Sequence, residues 1–415
     1  MSKIEIRPQP LGIFPAPAGD LLLPVANAEL IAGKIPTEFP AALKFYESAL
    51  NDEAEAAINL LTDQTDDIAR YNRFVLRPTS IEYQILKAEF SGELRALLDL
   101  TAFTNHLTNE LPEANDLDGE ILAVVLLAHA GQHIETRDPN GALALFDRAI
   151  AATETISPVL AAHILATKAD VLATNEAPHS EVIALYRRAL ETFAATDVQQ
   201  THAEIAMNLG ILYQDESRGQ RASLLEAARS YQEALKFFRR ETHPEQFAFC
   251  QNNLALAYLA MPLAEASDGL RVGIAVQALR EVLKVWTKET HLDQWASVQM
   301  NLANALQYLP STHPQENLAE AVELYEEVLT VRNPDRNSLT RARVLANQGN
   351  ALAHLGIFNH AIPKLVEASQ IFARNKETDS ADSVMEILAE VRQIQQAQTA
   401  DRFNNKISAA NGTSK

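Results

Sequence analysis

Residues 241–262 read ETHPEQFAFCQNNLALAYLAMP, and residues 289–310, 48 positions on, read ETHLDQWASVQMNLANALQYLP. Near-copies at such a period mark an array of like units rather than a set of unrelated domains. The recurring His with an acid two residues later is either a ligand set or a joint in a scaffold. Thr242-His243-Pro244-Glu245 has the Thr-x-x-Glu spacing of a helix capping box, in which the hydroxyl takes a free N–H and the carboxylate reaches back. The spacing recurs at Thr201-His202-Ala203-Glu204, Thr290-His291-Leu292-Asp293 and Thr312-His313-Pro314-Gln315. Helix starts one repeat apart are separated by about 10 Å or more, too far to share a metal. The expectation is a cap.

Outward from these stretches, a second helix class carries a large residue followed three positions later by a small one. The large anchors are Tyr46, Phe146, Tyr186, Tyr231, Leu279, Tyr325 and Leu365, and four residues before them stand Ala42, Ala142, Val182, Ala227, Ala275, Ala321 and Ala361. Positions i, i+4 and i+7 share one helical face, so each copy offers a small-large-small stripe that lets helices approach closely. The alternating helix aligns on Asn208, Asn253, Asn301 and Asn347. The step from anchor to the next Asn is 22 residues each time, from 186, 231, 279 and 325, whereas the other connection varies from 18 to 26. Insertions therefore collect in one class of loop.

These features predict an all-α chain, an α-solenoid in which antiparallel helix pairs wind into a right-handed superhelix with a helical N-terminal cap. The run Leu209, Gly210, Tyr213, then Ala227, Tyr231, Ala234 resembles the tetratricopeptide repeat, and the period of 40 to 48 with HPEQFAFCQNNLALAYL and EVLKVW is similar to its longer kinesin-light-chain type. The resemblance spans roughly residues 118 to 375. It implies that the first helix of each pair lines a concave groove and that Asn in its middle bonds the backbone of an extended peptide. Carried over, the groove residues are Asn208, Asn252, Asn253, Asn301, Asn304, Asn347 and Asn350, with Met207, Phe249, Met300 and Arg343 nearby. The alternative for the amides is a bond to the neighbouring repeat. The Lys clamp of chaperone-docking members is missing, since Met207, Asn252, Met300 and Ala346 precede these Asn.

Composition narrows the function. With 14 Gly and no cluster of them, the composition argues against a doubly wound sheet with glycine-lined nucleotide loops and for a helical chain. A formal charge of −19 repels phosphate-coated partners, so neither nucleic acid nor an anionic membrane is expected. One cysteine, Cys250, rules out an internal disulfide and fits a reducing, cytoplasmic setting. Pro8, Pro10, Pro15 and Pro17 interrupt any signal-peptide run.

The expected organisation is an extended Pro-rich arm at 1–37, in which KIEI could add a short strand, a helical segment or degenerate repeats at 38–117, the repeat array at 118–395 and a polar flexible tail at 396–415. His129 and His133 have the spacing of a two-His metal site but lack the intervening Glu and a third ligand, so a structural role is expected. NDLDGE at 115–120 resembles part of a calcium loop, yet its first and twelfth positions fall on Ala114 and Val125. No catalytic set, cofactor or metal is expected. The reading is a non-catalytic scaffold, adaptor or assembly factor binding a protein or peptide client. The alternative is an enzyme or ligand-sensing regulator acting through residues 38–117.

Overall fold

The computed structural model describes residues 4–5, 7–15, 21–25, 27–262, 268–332 and 338–412, with side chains as far as residue 400. Among them the regular structure is helical throughout, with no strand. Of KIEI, Ile4 and Glu5 lie outside any strand, while Lys3 and Ile6 fall outside the described residues. No described helix is long and apolar enough to cross a membrane. The chain divides into two compact units, residues 1–212 and 213–415.

The first unit contains a short α1 (Ala28–Ile31), then α2 (Lys44–Leu50), α3 (Ala54–Leu61), α4 (Asp67–Leu76), α5 (Ser80–Glu89) and α6 (Gly92–Thr104). The regular pairs follow: α7 (Gly119–Glu135) with α8 (Pro139–Thr153), and α9 (Pro158–Thr174) with α10 (His179–Phe193). The division falls inside α11 (Gln199–Glu216). In the second unit α12 (Arg221–Ala234), α13 (Pro244–Ala260), α14 (Asp268–Val282), α15 (Leu292–Tyr308), α16 (Pro314–Val331), α17 (Ser338–His354), α18 (Phe358–Arg374) and α19 (Thr378–Gly412) each pack on the next, the arrangement of an α-solenoid. The backbone of α19 carries the polar residues from 396 to 412.

The stripe explains the packing. All seven anchors are buried, and so are the small residues three positions after them, from Ala49 to Ala368. Those four positions before are buried too, except Ala42. Pro40 precedes a single 3-10 turn, Ala41–Leu43, and α2 begins only at Lys44, so Ala42 is not on the same helical face as Tyr46. Small residues on the facing helix are equally required. A Cβ built on Gly349 of α17 would stand 2.8 Å from Leu365 Cγ and 3.2 Å from the Ala361 carbonyl oxygen, so the α18 anchor fits because that Cβ is missing.

A paired substitution tests this. Gly349→Ala gains helix propensity of up to about 1 kcal/mol but forces overpacking that costs about 1–3 kcal/mol, and is expected to lower the thermal midpoint. Gly131→Ala in α7 meets nothing within 4 Å and is expected to raise it. Circular-dichroism melts that moved both variants the same way would refute the account.

Candidate functional site

The Thr-His-x-acid stretches are joints, but not through the expected caps. His243, His291 and His313 are themselves the N-cap residues of α13, α15 and α16, and none makes a side-chain capping bond. Pro244 and Pro314 occupy the first helical turn, where the missing N–H costs nothing, and all three helices, α15 with Leu292 in that place included, start one residue later than a Thr cap requires. Thr201 and His202 lie within α11. The acids instead tie neighbouring pairs together. Glu245 accepts from Trp286 Nε1 at 2.9 Å and lies 3.3 Å from His291 Nε2, and Asp293 accepts from Arg332 Nη1 at 2.7 Å.

At the first of the 22-residue steps the Asn meets its anchor directly, and at the last it does so through a second Asn. Asn208 donates to the Tyr186 hydroxyl at 3.3 Å and to Asp170 at 3.2 Å, while Tyr186 donates to the same carboxylate. In the second unit Tyr325 donates to Asn304 Oδ1, and Asn347 donates to that oxygen at 2.8 Å. Gln307 and Gln214 are the amides that meet the hydroxyls of Tyr325 and Tyr231, at 2.7 and 3.1 Å. The Tyr186, Tyr231 and Tyr325 anchors thus end in hydroxyls that a neighbouring first helix satisfies.

The remaining amides differ. Asn253 donates to the Phe249 carbonyl of its own helix at 2.9 Å. Asn252 Oδ1 is buried with no hydrogen-bond partner. Asn301, whose anchor Leu279 has no hydroxyl, and Asn350 have no hydrogen-bond partner among the described residues. In the second unit α13 touches α15 and α15 touches α17, so half-buried Phe249, Asn252, Met300 and Asn350 and exposed Arg343 belong to one run of adjacent first helices. Met207 is half-buried beside Asn208 in the first unit.

Such a surface offers paired donors and acceptors rather than acid–base chemistry. Burial pushes the Cys250 thiol up to about 12, which removes it as a nucleophile. His129 Nε2 donates to the Pro112 carbonyl at 2.9 Å, and His133 Nδ1 bonds Asp138, the cap of α8, at 2.8 Å. Among the described residues no three His, Cys, Asp or Glu side chains cluster as metal ligands would.

In the first unit, residues far apart in sequence hold the N-terminal segment against α4 and α9. Asn72 accepts from Leu23 N and donates to Leu23 O, both at 2.8 Å, and Tyr71 donates to the Leu21 carbonyl at 3.0 Å. His163 Nε2 donates to the Ile13 carbonyl at 3.0 Å, its ring edge-on to Phe193. Burial pushes the His163 pKa down to about 4, against the pull of that bond. Nothing in the local pattern around Asn72 or His163 marks them, because their partners lie 49 and 150 residues away.

Comparison with protein-family models returns no match, and neither does comparison with curated proteins. Among solved structures the chain is similar to the TPR2AB-domain:pHSP90 complex of yeast Sti1, at 14% identity and a TM-score of 0.26, over 66% of this chain and 100% of that one. It is also similar to the structure of Naa15/Naa10 bound to HypK-THB, at 13% identity and a TM-score of 0.21, over 88% of this chain and 69% of that one.

His163 makes stability depend on pH. Its folded pKa lies below the ordinary 6.5, so the unfolded chain takes up the proton first. The His163 contribution is intact above about pH 6.5 and is lost as pH falls toward 4, a loss of about 2–3 kcal/mol for a ring with some solvent access. Denaturant unfolding of wild type and His163→Gln at pH 7 and pH 4.5 is expected to show a steeper loss in the wild type. Equal losses would refute the assignment.

Proposed function

We propose that the chain is a non-catalytic protein-interaction scaffold of the long-repeat, kinesin-light-chain-like tetratricopeptide type, an adaptor or assembly factor that holds an extended segment of a client. The observation that supports it most directly is the set of amides on first helices of the second unit that the fold leaves unused: Asn252, Asn301 and Asn350. Asn301 and Asn350 are half-buried with no partner among the described residues, so their amides are open to a client's backbone, while the Asn252 oxygen, closed to solvent and without a donor at a cost of about 1–3 kcal/mol, meets one after a side-chain rotation. The backbone of an extended peptide carries an N–H and a C=O that one Asn can take together. Asn72 does so with Leu23 inside this chain.

In this reading Asn252, Asn301 and Asn350 grip client backbone, Phe249 and Met300 take apolar side chains, and Arg343 takes a carboxylate. Asn208, Asn304 and Asn347 hold the repeats together, and Asn253 bonds its own helix. Without Lys before these Asn, a client's terminal carboxylate is not the handle. The charge of −19 favours a basic or neutral client, and we place the protein in the cytoplasm.

The test is capture of partners from native extract, followed by affinity measurement, on two variants. Asn252→Ala/Asn301→Ala/Asn350→Ala is expected to keep the wild-type helical content and melting point and to bind the client at least tenfold more weakly, a change of about 1.4 kcal/mol. Asn347→Ala is expected to lose about 1 kcal/mol of stability. Identical partners at identical strength on the wild type and the folded triple variant would sink the proposal.

A further inference from the structure

Arg7 is held by an acidic cradle that the rest of the fold does not need. Its Nε lies 2.9 Å from Glu120 Oε1, its Nη1 2.9 Å from Glu93 Oε1, and its Nη2 2.7 Å from the Asp118 carbonyl, with the Asp118 carboxylate also in contact. Glu93 on α6 is 4% exposed and Glu120 on α7 is 0% exposed. Two buried carboxylates cost several kcal/mol each unless paired, and their shape suits the planar fork of a guanidinium better than an ammonium. Gly119, at φ +56°, completes the cradle, since a Cβ there would stand 2.3 Å from Arg7 Nη2. This is the NDLDGE stretch, which fails as a calcium loop and works as an arginine seat.

The same carboxylates read backbone. Glu93 Oε2 accepts from Ile4 N at 2.8 Å, and Glu120 Oε1 accepts from Gln9 N at 3.1 Å. With Asn72, Tyr71 and His163, the helices meet the polar groups of this segment by side-chain bonds to backbone, as a bound peptide is met and as a packed helix is not. Among the side chains of this segment, Arg7 is the charged one that the cradle reads, and Leu11 and Ile13, four and six residues later, are the most deeply buried of the apolar ones, with Ile4 and Phe14 also buried.

We infer that this face of the first unit is a recognition site for an extended, arginine-bearing segment of a partner protein, and that the chain's own N-terminal segment occupies it as an internal competitor. The partner chemistry follows from the cradle: an arginine with aliphatic residues at the fourth and sixth positions after it. The site lies on the first unit and stands or falls apart from the amides of the proposed function.

The test uses the full chain and a fluorescein-labelled peptide of the sequence at residues 4–15, IEIRPQPLGIFP, with a second peptide carrying Arg7→Ala. By fluorescence anisotropy, an Arg7→Glu variant of the protein, whose own segment is expelled by the added negative charge, is expected to bind the first peptide at least tenfold more tightly than wild type does. It should bind the alanine peptide at least tenfold more weakly than the first. Equal binding of both peptides, or none, by a folded Arg7→Glu variant overturns the inference. A wild-type dimer that the substitution dissociates assigns the groove to a second copy and overturns the partner assignment. Hydrogen exchange on the wild type keeps the test open should the variant fail to fold. The Ile4, Gln9 and Leu23 amides are expected to exchange at least a hundredfold faster than those in the middle of α9. Exchange only with global unfolding makes the segment core and refutes the inference.

Discussion

The structure depends on seven large side chains being received by helices that carry little bulk where they land. Leu365 sits over Gly349 at a distance that no Cβ would permit, and every anchor is buried with a small residue three positions after it on its own helix. Full burial of such a side chain is worth about 1.5–3 kcal/mol, and the pairs have no sheet or disulfide to share the work. The stripe therefore fixes where the next helix can lie.

Whether an anchor is tyrosine or leucine then decides what the neighbouring amide does. A buried hydroxyl has to be bonded, so Tyr186 and Tyr325 each recruit a triad with amides or carboxylates from first helices on either side. Leu279 makes no such demand, and Asn301, at the equivalent place, keeps its amide unspent. The motif thus divides: Asn208 and Asn347, each 22 residues after a tyrosine, are structural, Asn301 after Leu279 is a candidate binding member, and Asn253, although it follows Tyr231, bonds its own helix instead.

That division also shows why some of this was legible in the sequence and some was not. The stripe is local, repeated and periodic, so the helix pairs could be read from Ala227, Tyr231 and Ala234 and their counterparts. The Thr-His-Pro-Glu joint was recognisable as a joint, but a capping box and an acid bonding the next repeat share the same spacing. The second outcome holds with Pro244 and with Leu292 at the first helical position alike, so it is set by the cation and the indole that reach the acids, Arg332 for Asp293 and Trp286 for Glu245. The grip on the N-terminal segment has no local signature at all. Asn72 is one polar residue in an amphipathic helix until Leu23 is placed beside it, and Glu120 reads as an ordinary first-turn acid until Arg7 arrives from 113 residues away.

The cradle around Arg7 is also a poor way to gain stability. Exchanging a buried ion network for apolar side chains of similar volume is often neutral or favourable by about 1–4 kcal/mol, whereas removing one partner alone is costly. Leu11, Ile13, Leu22 and Leu23, all buried, already anchor the segment without charge. What Glu93, Glu120 and the bare Gly119 add is discrimination: they accept a guanidinium in one orientation and penalise any segment that lacks it. An arrangement whose main effect is to reject wrong occupants has the energetics of recognition, and in this chain it is turned on the chain's own N-terminal segment.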